Sequence, residues 1–117
     1  MKMTLEELQI KVIDWAEDKQ IFSKVTESKQ FDLTQEKVTE LKEAITKIDV
    51  YSEFEGAEYF LTDAHLELVD AIGDIMVTLI IQARMNGVDI QRCLLLAYNE
   101  IKDRTGEMKN GTFVKDK

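Results

Sequence analysis

Apolar residues recur every three or four positions along most of the chain, a spacing that predicts four main amphipathic helices. The first begins after Thr4, the second runs from about Phe31 to Lys47, the third from Thr62 or Asp63 to about Met85, and the fourth from Asp89 to about Arg104. The stripes expected to face the core are Leu5, Leu8, Val12, Trp15 and Ala16 in the first helix, Val38, Leu41, Ile45 and Ile48 in the second, and Ile90, Cys93, Leu94, Ala97 and Ile101 in the fourth. The third helix is apolar almost all round, which is typical of a buried helix.

Polar or glycine-containing segments separate these helices. The stretch from Ser23 to Ser28 predicts a link or an irregular turn, and the pattern is weakest between residues 50 and 61. Asn86-Gly87 predicts a left-handed helix end, and Gly106 ends the fourth helix. Asn110-Gly111 is a turn signal, so residues 108–117 are expected to form a small hairpin or an extended tail. Residues 1–117 are therefore predicted to form one all-α domain, a bundle of four to five helices.

Composition limits the class of protein. The chain has 117 residues and a net charge of −8, which argues against a protein that grips nucleic acid backbones. A nucleotide ligand stays compatible with this charge, because a metal ion can reverse it locally. The single cysteine, Cys93, excludes an internal disulfide and is expected to be a small core residue. The amphipathic start, Met1 to Gln20, and a longest apolar run of only Ile75 to Ile81 predict a cytoplasmic protein without a membrane partner.

Two aspartates stand on the apolar third helix. Asp70 and Asp74 are one turn apart and in line with Val77 and Ile81, so they are expected to lie on a buried face. Buried carboxylates are normally paired, protonated or bound to a metal. Helix capping or a buried ion pair is the structural alternative to a metal site.

A second acidic helix lies upstream and carries Glu36, Glu40 and Glu43. Taken alone, it predicts a solvated helix face. Together with Asp70 and Asp74 it suggests four oxygen ligands, which suit Mg²⁺, or Mn²⁺, better than zinc. Such ions bind phosphates and activate water. From the residues alone, the candidate ligands come from Glu36, Glu40 and Glu43 on one helix and from Asp70 and Asp74 on the other.

Further candidates lie outside these two helices. Asn99, Lys102 and Arg104 would complement a polyphosphate bound beside a metal, although cations at a helix end also satisfy the helix dipole. Trp15 has the spacing of a core residue, and at the rim of a pocket its ring would stack on a base.

Several segments together resemble the MazG-like nucleotide pyrophosphohydrolases, in the form of the short phage and bacterial members. They are, in family order, Trp15-Ala16-Glu17, Gln35-Glu36-Lys37-Val38-Thr39-Glu40-Leu41, Asp70-Ala71-Ile72-Gly73-Asp74, Ala97-Tyr98-Asn99-Glu100-Ile101-Lys102-Asp103-Arg104 and Asn110-Gly111-Thr112-Phe113-Val114-Lys115. The resemblance implies an all-α fold that works as a homodimer or homotetramer. It also implies Mg²⁺-dependent cleavage of a nucleoside triphosphate to the monophosphate and pyrophosphate.

The resemblance also implies that Glu36, Glu40, Asp70 and Asp74 bind the metal and act as the catalytic residues. Glu36 and Glu40 match the first and last acids of the family's Glu-Glu-x-x-Glu motif, and Lys37 stands at the middle acid. Lys37 can form an ion pair with Glu40 or Asp70 and take the place of a cation; the alternative is that it points to solvent or touches the phosphate of the substrate. Asp74 matches the aspartate of the second motif, with Asp70 as its partner in the Asp-x-x-x-Asp form.

Two other classes of protein are compatible with the sequence. One is a non-catalytic MazG-like protein that binds a nucleotide or a partner chain, which Lys37 favours. The other is a helical assembly protein without a ligand. In every case, so apolar a third helix predicts that the bundle is completed by self-association.

Overall fold

The computed structural model describes residues 2–116, which are mostly helical, with five helices and one small two-stranded sheet. The elements in chain order are α1 (Leu5–Asp18), α2 (Ile21–Lys24), α3 (Glu27–Tyr51), α4 (Glu58–Met85), α5 (Ile90–Ile101), β1 (Gly106–Lys109) and β2 (Thr112–Lys115). The predicted all-α character is confirmed. None of the helices within residues 2–116 has the length and apolar content that a bilayer crossing requires.

Side-chain caps start three of the helices. Thr4 accepts a hydrogen bond from the amide of Glu7 at 3.1 Å, Thr26 from that of Lys29 at 3.2 Å, and Asp89 from that of Gln91 at 2.8 Å. These caps satisfy amides that have no partner within the helix. The Thr4 and Asp89 starts are therefore confirmed, and Gly87 adopts the predicted left-handed conformation.

Other predicted boundaries are wrong. The second main helix begins at Glu27 instead of Phe31, because Thr26 provides a cap inside the stretch that was expected to be a link. The third begins at Glu58, directly after the turn at Gly56, and therefore includes part of the segment with the weakest pattern. The fourth ends at Ile101, so Arg104 lies beyond it.

The two longest helices, α3 and α4, pack as an antiparallel hairpin. In α3 the residues that are not exposed follow alternating steps of four and three, which is the spacing of a coiled-coil seam. They are Gln30, Thr34, Lys37, Leu41, Ala44, Ile48 and Tyr51. The same steps run through α4 at Leu61, Ala64, Leu68, Ala71, Ile75, Thr78 and Gln82.

Contacts along the hairpin fix its register. Near one end, the side-chain amide nitrogen Nε2 of Gln30 donates to the backbone carbonyl oxygen of Thr78 at 3.1 Å. At the other end the rings of Tyr51 and Phe60 lie 5.6 Å apart. The residue numbers of the contacts increase along α3 while they decrease along α4, which is the antiparallel order.

The seam differs from the predicted apolar stripe of the second helix. Leu41 and Ile48 lie in the seam as expected. Val38 and Ile45 do not, and 48% and 45% of their surfaces are exposed. Their places in the seam are taken by Lys37 and the fully buried Ala44.

Little of the chain outside this hairpin is covered. The helix α1 packs on α4, whereas α5 touches α4 mainly near its first turn. The apolar stripe predicted to face inward in the fourth helix is largely exposed, and so is Cys93, because no other element lies over them. The tail forms a hairpin in which β1 pairs with β2 through the turn at Asn110-Gly111, where both residues have positive φ.

Candidate functional site

Acidic side chains gather in a groove along one side of the α3–α4 hairpin. The groove has a volume of about 400 Å³ and is lined by Glu40, Glu43, Lys47, Glu67, Asp70, Ala71 and Asp74. We call this the acidic groove. All six of its charged residues immediately precede a seam residue, which places them on the same side of the hairpin. Its floor includes Ala71, a buried seam residue.

Two lysines bridge the helices at the ends of the acidic groove. Lys37 lies with its ammonium 3.5 Å from a carboxylate oxygen of Glu40 and 3.7 Å from one of Asp74. Lys47 donates to both carboxylate oxygens of Glu67, at 2.8 and 3.2 Å. The groove therefore holds five carboxylates and two ammonium groups, and its formal charge is about −3 at neutral pH.

The pairing changes the acidity of both lysines. Partial burial lowers the pKa of Lys37, but the combined attraction of Glu40 and Asp74 outweighs it, so the pKa lies above its ordinary value. The hydrogen bond and the charge of Glu67 likewise raise the pKa of Lys47. Both side chains are fully charged at neutral pH.

The structure brings three of the four predicted acids together. Glu40, Asp70 and Asp74 line the acidic groove, whereas Glu36 lies outside its lining. Asp70 is exposed and Asp74 is half-exposed, so the prediction of a buried aspartate face is wrong for the single chain. The reason is that, within residues 2–116, Lys37 is the side chain that pairs with Asp74, and it leaves that carboxylate half-exposed. Lys37 pairs with Glu40 as predicted, but its second partner is Asp74 and not Asp70.

Three residues of the acidic groove were not among the predicted site residues: Glu43, Lys47 and Glu67. The signal that identifies all three is the seam spacing, since each stands one position before a seam residue. Glu43 lies one helical turn from both Glu40 and Lys47 on the same face of α3.

The carboxylates fit a hard divalent cation in kind, because such ions take oxygen ligands from aspartate and glutamate. They are not arranged around one point. Within residues 2–116 no three acidic, histidine or cysteine side chains are close enough together to hold a metal ion. Side-chain rotation and loss of the Lys37 contacts would be needed to bring them together.

An apolar pocket adjoins the acidic groove along α4. It has a volume of about 340 Å³ and is lined by Leu8, Lys11, Val12, Trp15 and Val77. Val77 stands one helical turn after Asp74, so the pocket and the groove follow each other on one face of α4. Half of the Trp15 surface is exposed, which places the ring at a pocket rim and not in the core.

The predicted phosphate-binding residues lie elsewhere in the single chain. Lys102 is the C-cap residue that follows α5. Arg104 lies beyond the helix, with its guanidinium 3.8 Å from the carboxylate of Glu100. Neither they nor Asn99 line the acidic groove.

The chain was compared with known proteins. No family model matches it, and no curated protein or solved structure does either. The similarity to MazG-like proteins therefore stays a prediction from the sequence.

Proposed function

We propose that the protein is a Mg²⁺-dependent hydrolase that cleaves nucleoside triphosphates to the monophosphate and pyrophosphate. One observation carries this proposal: the acidic groove and the Trp15 pocket are neighbours on the same face of α4. A nucleotide has the same two parts, a flat base and a polyanion that binds metal ions. A base against Trp15 would direct its phosphates toward Asp74 and Asp70.

The residues have distinct proposed roles. Glu40, Asp70 and Asp74 would hold the metal, with Glu43 in place of the predicted Glu36, because Glu43 lines the groove. The bound metal would polarise the phosphates and favour the ionisation of water. A groove carboxylate that is not a metal ligand would orient the attacking water.

A second candidate function is nucleotide binding without hydrolysis. The contacts of Lys37 with Glu40 and Asp74 favour it, because they occupy two carboxylates with a cation that belongs to the chain. In that case the lysine would occupy Glu40 and Asp74 in place of a metal ion, and the Trp15 pocket would still receive a base.

We also propose that the protein works as a homodimer or homotetramer. The single chain exposes 9313 Å² and has a radius of gyration of 17.8 Å. A compact protein of this size exposes roughly 6,500 Å², with a radius near 13.5 Å. The excess is roughly 2,800 Å² per chain, or about 5,600 Å² for two chains, which lies at the upper end of the total area that obligate homodimers bury.

Pyrophosphate release from a set of ribo- and deoxyribonucleoside triphosphates, with and without Mg²⁺, tests the proposed activity. Asp74→Asn should abolish the release, whereas Asp63→Asn, on α4 but outside the groove, should leave it unchanged. The single tryptophan provides a separate measurement of binding. Quenching of Trp15 fluorescence by nucleotide without any release would favour the binding function, and the absence of both would reject the two proposals together.

A further inference from the structure

Within residues 2–116, two apolar surfaces have little or no cover, and they lie on different parts of the chain. The first is on the side of the α3–α4 hairpin opposite the acidic groove. Each of its members stands one position after a seam residue: Phe31, Val38, Ile45, Val69 and Ile72. We call this the apolar flank. Each member has at least 45% of its surface exposed.

The second surface belongs to residues 90–116, which comprise α5 and the β1–β2 sheet and which we call the C-terminal arm. Ile90, Leu94, Ala97 and Ile101 follow steps of four, three and four and therefore form one face of α5. Only the beginning of this face meets α4, and 52% of Ile101 is exposed. In the sheet, Met108 lies opposite Phe113, and both are exposed as well.

The sheet is well formed although it packs on no other element to any extent. Its ends are joined by hydrogen bonds between Thr105 and Asp116, one between side chains and one between backbone groups, each of 2.8 Å. An isolated two-stranded sheet is marginally stable in water, so a defined sheet implies a surface on which it rests. Within residues 2–116 the chain supplies no such surface of its own.

We infer that the C-terminal arm of one copy packs on the apolar flank of a second copy, and that the exchange is reciprocal. The lengths agree, because the apolar face of α5 and the α3 part of the flank extend over roughly 17 and 21 Å at 1.5 Å per residue. A two-fold dimer makes the contact twice and covers both surfaces of both chains, which leaves no open end for further growth. The inference rests on the self-association proposed above and not on the hydrolase activity.

Charge favours this arrangement over one in which the apolar flanks of two copies pack on each other. Residues 1–89 have 19 acidic and nine basic residues and a formal charge of −10, whereas residues 90–116 have four acidic and five basic residues and a charge of +1. Packing one hairpin on another brings two strongly acidic bodies together. Packing an arm on a partner's hairpin avoids that repulsion and places the less acidic part of one chain against the acidic part of the other.

A complementation experiment with charged substitutions separates these arrangements. Ile101→Glu disables the arm and Val38→Glu disables the flank. Each variant alone should have the mass of one 13.5 kDa chain by light scattering at a concentration where the natural protein has about twice that mass. A one-to-one mixture should regain the doubled mass, because a heterodimer retains one intact contact between the arm of one variant and the flank of the other.

Matched controls carry the same added charge beside each site. Asn99→Glu on the polar side of α5, and Thr39→Glu next to Val38 on the outer face of α3, should both keep the doubled mass. The thiol of Cys93, which is exposed in the single chain, adds a measurement that needs no variant. In the natural protein it should react with a disulfide reagent at least tenfold more slowly than in Ile101→Glu.

Three results would overturn the inference. The first is a natural protein of single-chain mass. The second is a pair of variants that are both dissociated and do not associate on mixing, since reciprocal exchange leaves one intact arm-to-flank contact in that mixture. The third is doubled mass in either variant alone, since an arm-to-arm contact would spare Val38→Glu and a flank-to-flank contact would spare Ile101→Glu. None of these measurements involves nucleotide, so a failure of the proposed hydrolysis would not affect them.

Discussion

Removing the charge of Lys37 should strengthen the binding of divalent cations in the acidic groove. Its ammonium is in contact with Glu40 and Asp74, two of the proposed ligands. A divalent cation in the groove would have to displace Lys37 from both carboxylates, and it would then lie close to the like-charged ammonium group. Lys37→Gln keeps a polar side chain at this seam position and removes the repulsion.

Coulomb's law gives the expected size of the effect. A divalent ion roughly 6 Å from the ammonium of Lys37 is repelled by about 1.4 kcal/mol at the dielectric constant of water, and by more where the groove is shielded from solvent. That energy corresponds to a factor of about 10 in affinity. Glu40 and Asp74 are about half-exposed, which supports a value near this lower limit.

Isothermal titration with Mn²⁺ and Mg²⁺ at low ionic strength checks this prediction. Lys37→Gln should bind about ten times more tightly than the natural protein, and the gain should shrink as added salt screens the repulsion. Lys47→Gln is the matched control, because it removes the same charge from the other end of the groove. Equal affinities for the natural protein and Lys37→Gln, or a gain in Lys47→Gln alone, would refute the argument that Lys37 competes with the metal.

Three further predictions follow from the hairpin and the sheet. Ala71→Leu should lower the free energy of unfolding in urea by about 1–3 kcal/mol, because a large side chain at this buried seam position forces α3 and α4 apart; a change below 0.5 kcal/mol, within the usual range of surface substitutions, would show that the seam tolerates the volume. The urea midpoint of Lys37→Gln/Lys47→Gln should be lower than that of the natural protein at pH 8, and the difference should shrink above about pH 11. Folding raises the pKa of both lysines, so their stabilisation is complete below the unfolded pKa near 10.4 and is lost as the pH rises through the folded pKa values. A difference in midpoint that persists unchanged at higher pH would assign the effect to packing. Gly106→Ala should remove the strand signals of residues 106–115 in amide hydrogen exchange, because the added methyl group would overlap the carbonyl of Val114 and come within 2.7 Å of the Phe113 ring; retained protection would contradict this.

The parts of the fold that depend on neighbouring residues were predictable from the sequence. The cap at Thr4 and the turn at Asn110-Gly111 involve residues at most three positions apart, so their chemistry is visible in the sequence. The helical content follows in the same way from spacing and from the absence of proline. The limits of α3 and α4 were harder, because Thr26 and Glu58 lie in stretches without an apolar pattern.

The seam was not predicted because many of its members are not large apolar residues. Gln30, Thr34 and Lys37 carry polar groups, and Ala44 contributes little to a hydrophobic pattern, so Val38 and Ile45 shifted the apparent stripe by one position. In the single chain those two residues remain half-exposed. A large apolar residue marks the core only where some part of the same chain covers it, and much of the apolar surface here has no such cover.

The acidic groove could be predicted only in part for the same reason. Asp70 and Asp74 were identifiable because acids are unusual on so apolar a helix. Glu67 and Lys47 could not be recognised as partners from the sequence, because their 2.8 Å contact joins a residue of α3 to one 20 positions later on α4. Pairing across a hairpin depends on its register, which no local pattern specifies.

The register and the charge of the groove have a common origin in the two lysine bridges. If α4 slid by seven residues in one direction, the seam would still match, but Ile81 would take the place of Asp74 opposite Lys37. A slide the other way would put Phe60 in the place of Glu67 opposite Lys47. Either slip leaves one lysine against an apolar side chain, so the two bridges together select one register, as polar residues do in other helical seams. The lysine that we expect to weaken metal binding therefore also aligns the carboxylates that would bind the metal, and Lys37→Gln should gain cation affinity while losing some of the specificity of the hairpin.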